Sequence, residues 1–157
     1  MGLARTFSAV VMGVRAHIVE VEADLSQGLP GLSIVGLPDT ALNEARDRVR
    51  AAVVNSGLKW PNVKITVSLS PAWLPERGSG LDLAIALAIL AADAQLPVQE
   101  VGKLLSLGEL GLDGRVRPAP GALATALALR RSNSPVPSAI AAGSSDCACL
   151  RAVPGLD

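Results

Sequence analysis

The chain has no tyrosine, and aromatic residues make up only 2% of its 157 positions. A core so poor in large rings must be built of Ala, Val, Leu and Ile, which suits helices packed tightly on a sheet. Net charge is missing as well, since 14 Lys and Arg balance 14 Asp and Glu. No global field therefore draws in nucleic acid or an anionic membrane, and any such binding needs a local basic stripe. Long apolar runs are absent too. The longest, Leu83 to Ala92, is well short of the ~20 residues that span a bilayer. The start, Met1 to Val14, lacks the apolar run behind a basic patch that marks a signal peptide. The expectation is a soluble, cytoplasmic chain with no membrane partner.

Cysteine and histidine are scarce. Cys147 and Cys149 sit one residue apart, and the only histidine, His17, is far off in sequence. In a strand both thiols face one side, where a disulfide would be strained. A metal would need further ligands, so the expectation is no metal and a small-hydrophobe role for both in a strand. What is plentiful is aliphatic residue: half the chain is hydrophobic, enough to bury a core in a single domain, 1–157, without disulfides.

Hydrophobic patterning predicts strands at Arg5 to Met12 and Ala16 to Asp24, joined by a hairpin at Gly13-Val14-Arg15. His17 falls on the valine-rich side of the second, as a packed histidine. A short strand over Leu32 to Gly36 leads to a helix from about Asp39 to Ser56, capped by Asp39 or Thr40 and stopped at Gly57. Asn62 to Pro71 alternates as a strand. The loop Pro75 to Gly80 then opens into a helix apolar on every side, ending near Asp93 to Leu96. Beyond Pro97 come a strand at Lys103 to Leu110, a turn at Gly111 to Gly114, a return strand at Arg115 to Pro118 and a helix at Ala122 to Arg131. Late strands are expected at Ala139 to Ala142 and Ala148 to Val153. This order is α/β (α+β type), with a mixed β-sheet packed with helices. Nothing covers the last expected strand, which suggests a chain cut from something longer.

The joint of strand, loop and buried helix is the most informative feature. A buried helix N-terminus offers unpaired N–H groups and partial positive charge, favouring a nucleophile or an anion. Ser79 or Gly80 stands at its tip. Ser79 fits a helix N-cap, and Gly80 is expected to lack room for a side chain or to need a backbone conformation costly for other residues. Asp82, the one charge in the helix, suits the first turn, where it can accept otherwise unpaired N–H groups. Glu109 is expected to pair with Arg115 or Arg117 across the following turn.

Phe7-Ser8-Ala9-Val10, the run Gly31 to Asp39, the helical segment Glu44 to Ala52 and the joint Gly78 to Leu87, in this order, resemble the N-terminal domain of the YifB/ComM family of bacterial magnesium-chelatase-like AAA+ ATPases. The resemblance covers essentially the whole chain. It implies the fold shared by the Lon proteolytic domain, ribosomal S5 domain 2-like. It also implies a hexameric, DNA-engaged ATPase whose members include a branch-migration helicase of natural transformation. ATP and Mg2+ are then cofactors of the parent protein, not of this segment. No G-x-x-x-x-G-K-[ST] occurs, and the only lysines are Lys59, Lys64 and Lys103.

Lon-type proteases pair a serine at the buried helix N-terminus with a lysine on the next helix, which acts as general base. The resemblance places Gly80 at the serine position and Leu123 at the lysine position, so both members of the dyad are absent. Ser79 is one residue off, but the helix from Ala122 to Arg131 carries no lysine, and arginine is no base at neutral pH.

Arginines remain as candidate phosphate contacts. Arg46 and Arg50 share one helix face while Arg48 points elsewhere. Arg77, Arg115 and Arg117 flank the joint and the return turn. The competing reading is local pairing, Asp47 with Arg50 and Arg46 with Glu44 or Asn43. Three functions stay open: a non-catalytic accessory domain for ring assembly and DNA engagement, partnered by its own ATPase module in a homo-hexamer; a Ser79-dependent peptidase; and a structural cap without DNA contact.

Overall fold

Alternating apolar residues build β1 (Leu3–Met12) and β2 (Arg15–Ser26), an antiparallel pair whose turn uses Gly13 at φ +64°. The computed structural model describes residues 2–71, 80–132 and 134–150. His17 stands opposite Val10 in this pair and is half-buried. β3 (Gly31–Val35) precedes α1 (Asp39–Asn55), which ends before Gly57 at φ +81°. The cap expected from Asp39 or Thr40 is not made. Pro38 is the N-cap residue, in extended conformation, and its carbonyl accepts the Leu42 N–H at 2.9 Å. Asp39 becomes instead the acidic residue of the first turn.

β4 (Lys64–Ser70) and α2 (Asp82–Ala92) follow. In α2 every residue but Leu83 and Leu87 is buried. A four-residue helix, α3 (Val98–Val101), stands beyond Pro97 and has no counterpart in the hydrophobic pattern. The strand expected over Lys103 to Leu110 divides at Gly108 into β5 (Leu104–Leu107) and β6 (Glu109–Leu110), and β6 pairs with β7 (Val116–Arg117) as a separate ribbon. Gly108 turns its backbone to α2: its N–H donates to the Gly80 carbonyl and its own carbonyl accepts from Leu83 N–H, at 3.1 and 3.2 Å.

α4 (Ala122–Arg131) and β8 (Ala139–Ala142) match expectation. The second late strand does not form. α5 (Ser144–Leu150) holds residues 144–150 as a helix, and residues 151–153 of that expectation lie outside the described residues. Cys147 and Cys149 therefore occupy helical positions rather than one face of a strand. The Cys147 thiol lies 3.3 Å from the Ala142 carbonyl.

The main sheet runs β3-β4-β2-β1-β5-β8, with β1–β2 and β2–β4 antiparallel and β3–β4, β1–β5 and β5–β8 parallel. It is the mixed sheet that the element order implied. Alternation sends Val19, Val21, Ala23 and Leu25 of β2 to one face, under α1 and α2. Phe7, Ala9 and Ile18 go to the other, with Ala122 and Ala126 of α4 and Leu150 of α5. Small residues let α2 lie close on β1. Beneath it, Ser8 Oγ donates to the Ser106 carbonyl at 2.7 Å, and Thr6 Oγ1 lies 2.9 Å from the Val101 and Leu104 carbonyls. These buried hydroxyls are satisfied on the spot.

Candidate functional site

The joint and the return turn, separated in sequence, meet in space. A Cβ on Gly80 would approach the Ala119 Cβ at 3.4 Å, so the start of α2 and the segment just before α4 lie side by side. That distance is ordinary contact, and Gly80 has no positive φ. Among the described residues Gly80 thus shows neither a clash nor a left-handed backbone; residues 72–79, just before it, lie outside them. Ser79 and Arg77 lie outside the described residues. Leu123 sits on α4 with 52% of its surface exposed, one turn before the exposed Leu127. α4 begins at Gly121, at φ +84°, where a side chain would run into Val11.

Asp82 supplies the electrostatics of the joint. It is 1% exposed and accepts two hydrogen bonds from Arg48, from Nε at 2.7 Å and from Nη2 at 3.1 Å. The Leu110 N–H donates to the same carboxylate at 3.1 Å. The unpaired groups that Asp82 satisfies are thus on α1 and β6. Burial pushes the Asp82 carboxyl above the ordinary carboxylate range, while the Arg48 hydrogen bond and the Leu110 N–H pull it back. The hydrogen bond to Asp82 pushes the Arg48 guanidinium up, so Arg48 stays charged. Arg48 points away from the Arg46 and Arg50 face, as helical spacing requires, but no local pattern marks its partner 34 residues on.

β6, β7 and the turn between them form an arm, residues 109–117. Asn55 Nδ2 donates to the Leu112 carbonyl at 2.6 Å, and Gly114, at φ +89°, sits against Ser56 and Ala52 of α1's last turns. Within the turn, Gly111 N–H donates to Arg115 O and Gly114 N–H to Gly111 O, both at 2.9 Å. A cleft of about 150 Å³ opens beside these contacts, lined by Val53, Leu58, Leu83, Leu87, Leu110 and Val116 among others. The Arg115 side chain is 87% exposed and lies 3.6 Å from Asp113. Arg117 is exposed, with its guanidinium close over Gly111, and stands opposite Glu109 in the β6–β7 register. On α1, Arg46 pairs with Asp47 at 3.6 Å rather than with Glu44, and Arg50 is exposed. The two arginine groups stay on separate elements.

Among the described residues no helix is long and apolar enough to cross a membrane. The family model for subunit ChlI of Mg-chelatase matches residues 21–138. An uncharacterized protein of Mycobacterium tuberculosis is 53% identical over 135 residues, 86% of this chain and 27% of that protein. The uncharacterized protein YifB of Escherichia coli is 47% identical over 126 residues, 80% of this chain and 25% of its own length. The competence protein ComM of Haemophilus influenzae is 43% identical over 132 residues, 84% of this chain and 26% of ComM. The chain thus spans about a quarter of the length of the curated relatives it matches. It belongs to the Mg-chelatase subunit ChlI family, alongside the YifB and ComM proteins.

Proposed function

We propose that residues 1–157 form one non-catalytic Lon-like domain of a longer, cytoplasmic AAA+ ATPase, supporting assembly of its hexameric ring and engaging DNA. The observation that carries this reading is the joint. The place where Lon-type chemistry needs a serine holds Gly80, beside Ala119, and the lysine position holds Leu123. A glycine supplies no nucleophile and a leucine no base. The competence label of ComM supports a role in DNA handling, and the exposed Arg115 and Arg117 supply the phosphate-binding chemistry.

ATP and Mg2+ belong to the ATPase module of the parent protein. The residues present here do not fit them: Lys59 follows α1, Lys64 opens β4 and Lys103 precedes β5, so none stands at a helix N-terminus after a glycine-rich loop.

Serine-reactive fluorophosphonate labelling and casein hydrolysis test the non-catalytic reading. The expected outcome is neither labelling nor turnover. Turnover abolished by Ser79→Ala would establish the peptidase instead. DNA binding at low salt by the protein with its ATPase module separates a DNA-engaging domain from a structural cap.

A further inference from the structure

The arm 109–117 is too small to hold itself in place. Each of its strands is two residues long, and an isolated hairpin of any length is marginal in water. Apolar packing holds one side of it: Leu110 is buried in the main core and Val116 packs against that core, beside the cleft that Leu83 and Leu87 also line. Polar tethers hold the rest. The Gly108 backbone bonds to Gly80 and Leu83, Asn55 holds Leu112 from an exposed site, and Leu110 N–H is held in the interior by Asp82. The Asp82 tether differs from the others in being both buried and charged, and in reaching α1 through Arg48. Charge-assisted hydrogen bonds in such surroundings are the stronger kind.

We propose that Asp82 is a positioning residue: its one carboxylate, shared by the Arg48 guanidinium and the Leu110 amide, sets where the arm presents Arg115 and Arg117. The importance of those arginines rests on the proposed DNA contact, but the positioning itself does not.

Amide hydrogen exchange tests it in the protein and its variants Asp82→Leu, which keeps the site filled without an acceptor, and Asp82→Asn, which keeps an oxygen for Leu110. In Asp82→Leu, exchange at Leu110, Gly111 and Gly114 rises at least ~tenfold relative to Val21 and Val67 in the sheet. In Asp82→Asn the rise is at most ~threefold. If the leucine variant does not fold, Asp82→Ala gives the same measurement. Arm amides that slow or quicken only in step with the sheet amides would overturn the proposal. In the protein with its ATPase module, Asp82→Leu removes a negative charge, so a purely electrostatic effect would tighten DNA binding; a displaced arm weakens it. If Arg115→Gln with Arg117→Gln leaves DNA binding unchanged, the DNA reading fails, while the exchange result still decides the positioning of the arm.

Discussion

At the scale of single residues, the Asp82–Arg48 pair decides most. A buried pair is costly to desolvate, and removing one partner is worse when the survivor cannot reach water. Asp82 is enclosed, whereas the Arg48 side chain is 24% exposed. Arg48→Met should therefore cost about 3–5 kcal/mol by leaving a buried carboxylate unpaired. Asp82→Asn should cost less than ~1 kcal/mol, because Arg48 can turn to solvent and Leu110 keeps an acceptor. Adding Asp82→Asn to Arg48→Met should restore most of the loss, and urea melts at pH 7 of the three variants would show whether it does. The pH dependence follows from the raised Asp82 pKa. The folded state takes up this proton at higher pH than the unfolded chain, so the stability contributed is complete below the unfolded pKa and lost as pH rises through the folded one. Between the ordinary carboxylate range and neutrality, the native protein should gain stability relative to Asp82→Asn as pH falls; melts at a series of pH values check the sign. Asp82 was legible as a lone first-turn acid, and Arg48 as the arginine off the Arg46 and Arg50 face. Their pairing was not, since sequence periodicity relates only near neighbours and these two stand 34 residues apart.

At the scale of elements, strong periodicity was readable and breaks in it were not. The β1–β2 hairpin, α1, α2 and α4 stand close to where spacing put them. Leu104 to Leu110 is largely apolar around Glu109, which hides the division at Gly108. The division is set by tertiary crowding: a side chain at 108 would strike Val116 Cγ1 and come within 3.4 Å of the Arg117 carbonyl. At Gly80 the one neighbour among the described residues is Ala119, at 3.4 Å. Gly108→Ala should thus cost about 1–3 kcal/mol as an overpacked site, and Gly80→Ala less than ~1 kcal/mol. Thermal melts that rank them the other way would remove the crowding account of the break. The segment at Cys147 to Leu150 misled for a different reason: a short apolar run fits strand and buried helix alike. Asp146 favours the helix here, in its first turn, by accepting the Ala119 N–H at 3.0 Å and so tying α5 to the residues before α4.

At the scale of the whole molecule, zero net charge and segregated arginines point to weak binding by one copy and stronger binding by many. Each phosphate neutralised releases counterions, so affinity falls with salt more steeply the more phosphates are engaged. On the proposed reading one chain can neutralise few phosphates, so it should bind duplex DNA weakly or not detectably at physiological salt. In the proposed ring the same arginines recur around a channel, and weak sites add through multivalency. Binding there should be stronger, independent of sequence and steeply salt-dependent. The pairs Arg115 with Arg117 and Arg46 with Arg50 should not contribute equally. Arg46 and Arg115 each pair with a near neighbour at 3.6 Å, Asp47 and Asp113, but the Arg115 side chain is 87% exposed against 40% for Arg46 and extends from a turn that backbone hydrogen bonds hold in shape. A preorganised turn loses less entropy on binding than a mobile one. Replacing Arg115 and Arg117 by Gln in the protein with its ATPase module should weaken DNA binding and flatten the salt slope in proportion to the phosphates no longer neutralised. Replacing Arg46 and Arg50 should change both less. Titrations at several salt concentrations decide between the pairs. If neither substitution alters affinity or slope, the domain is a structural cap and the DNA-binding groups lie in the ATPase module.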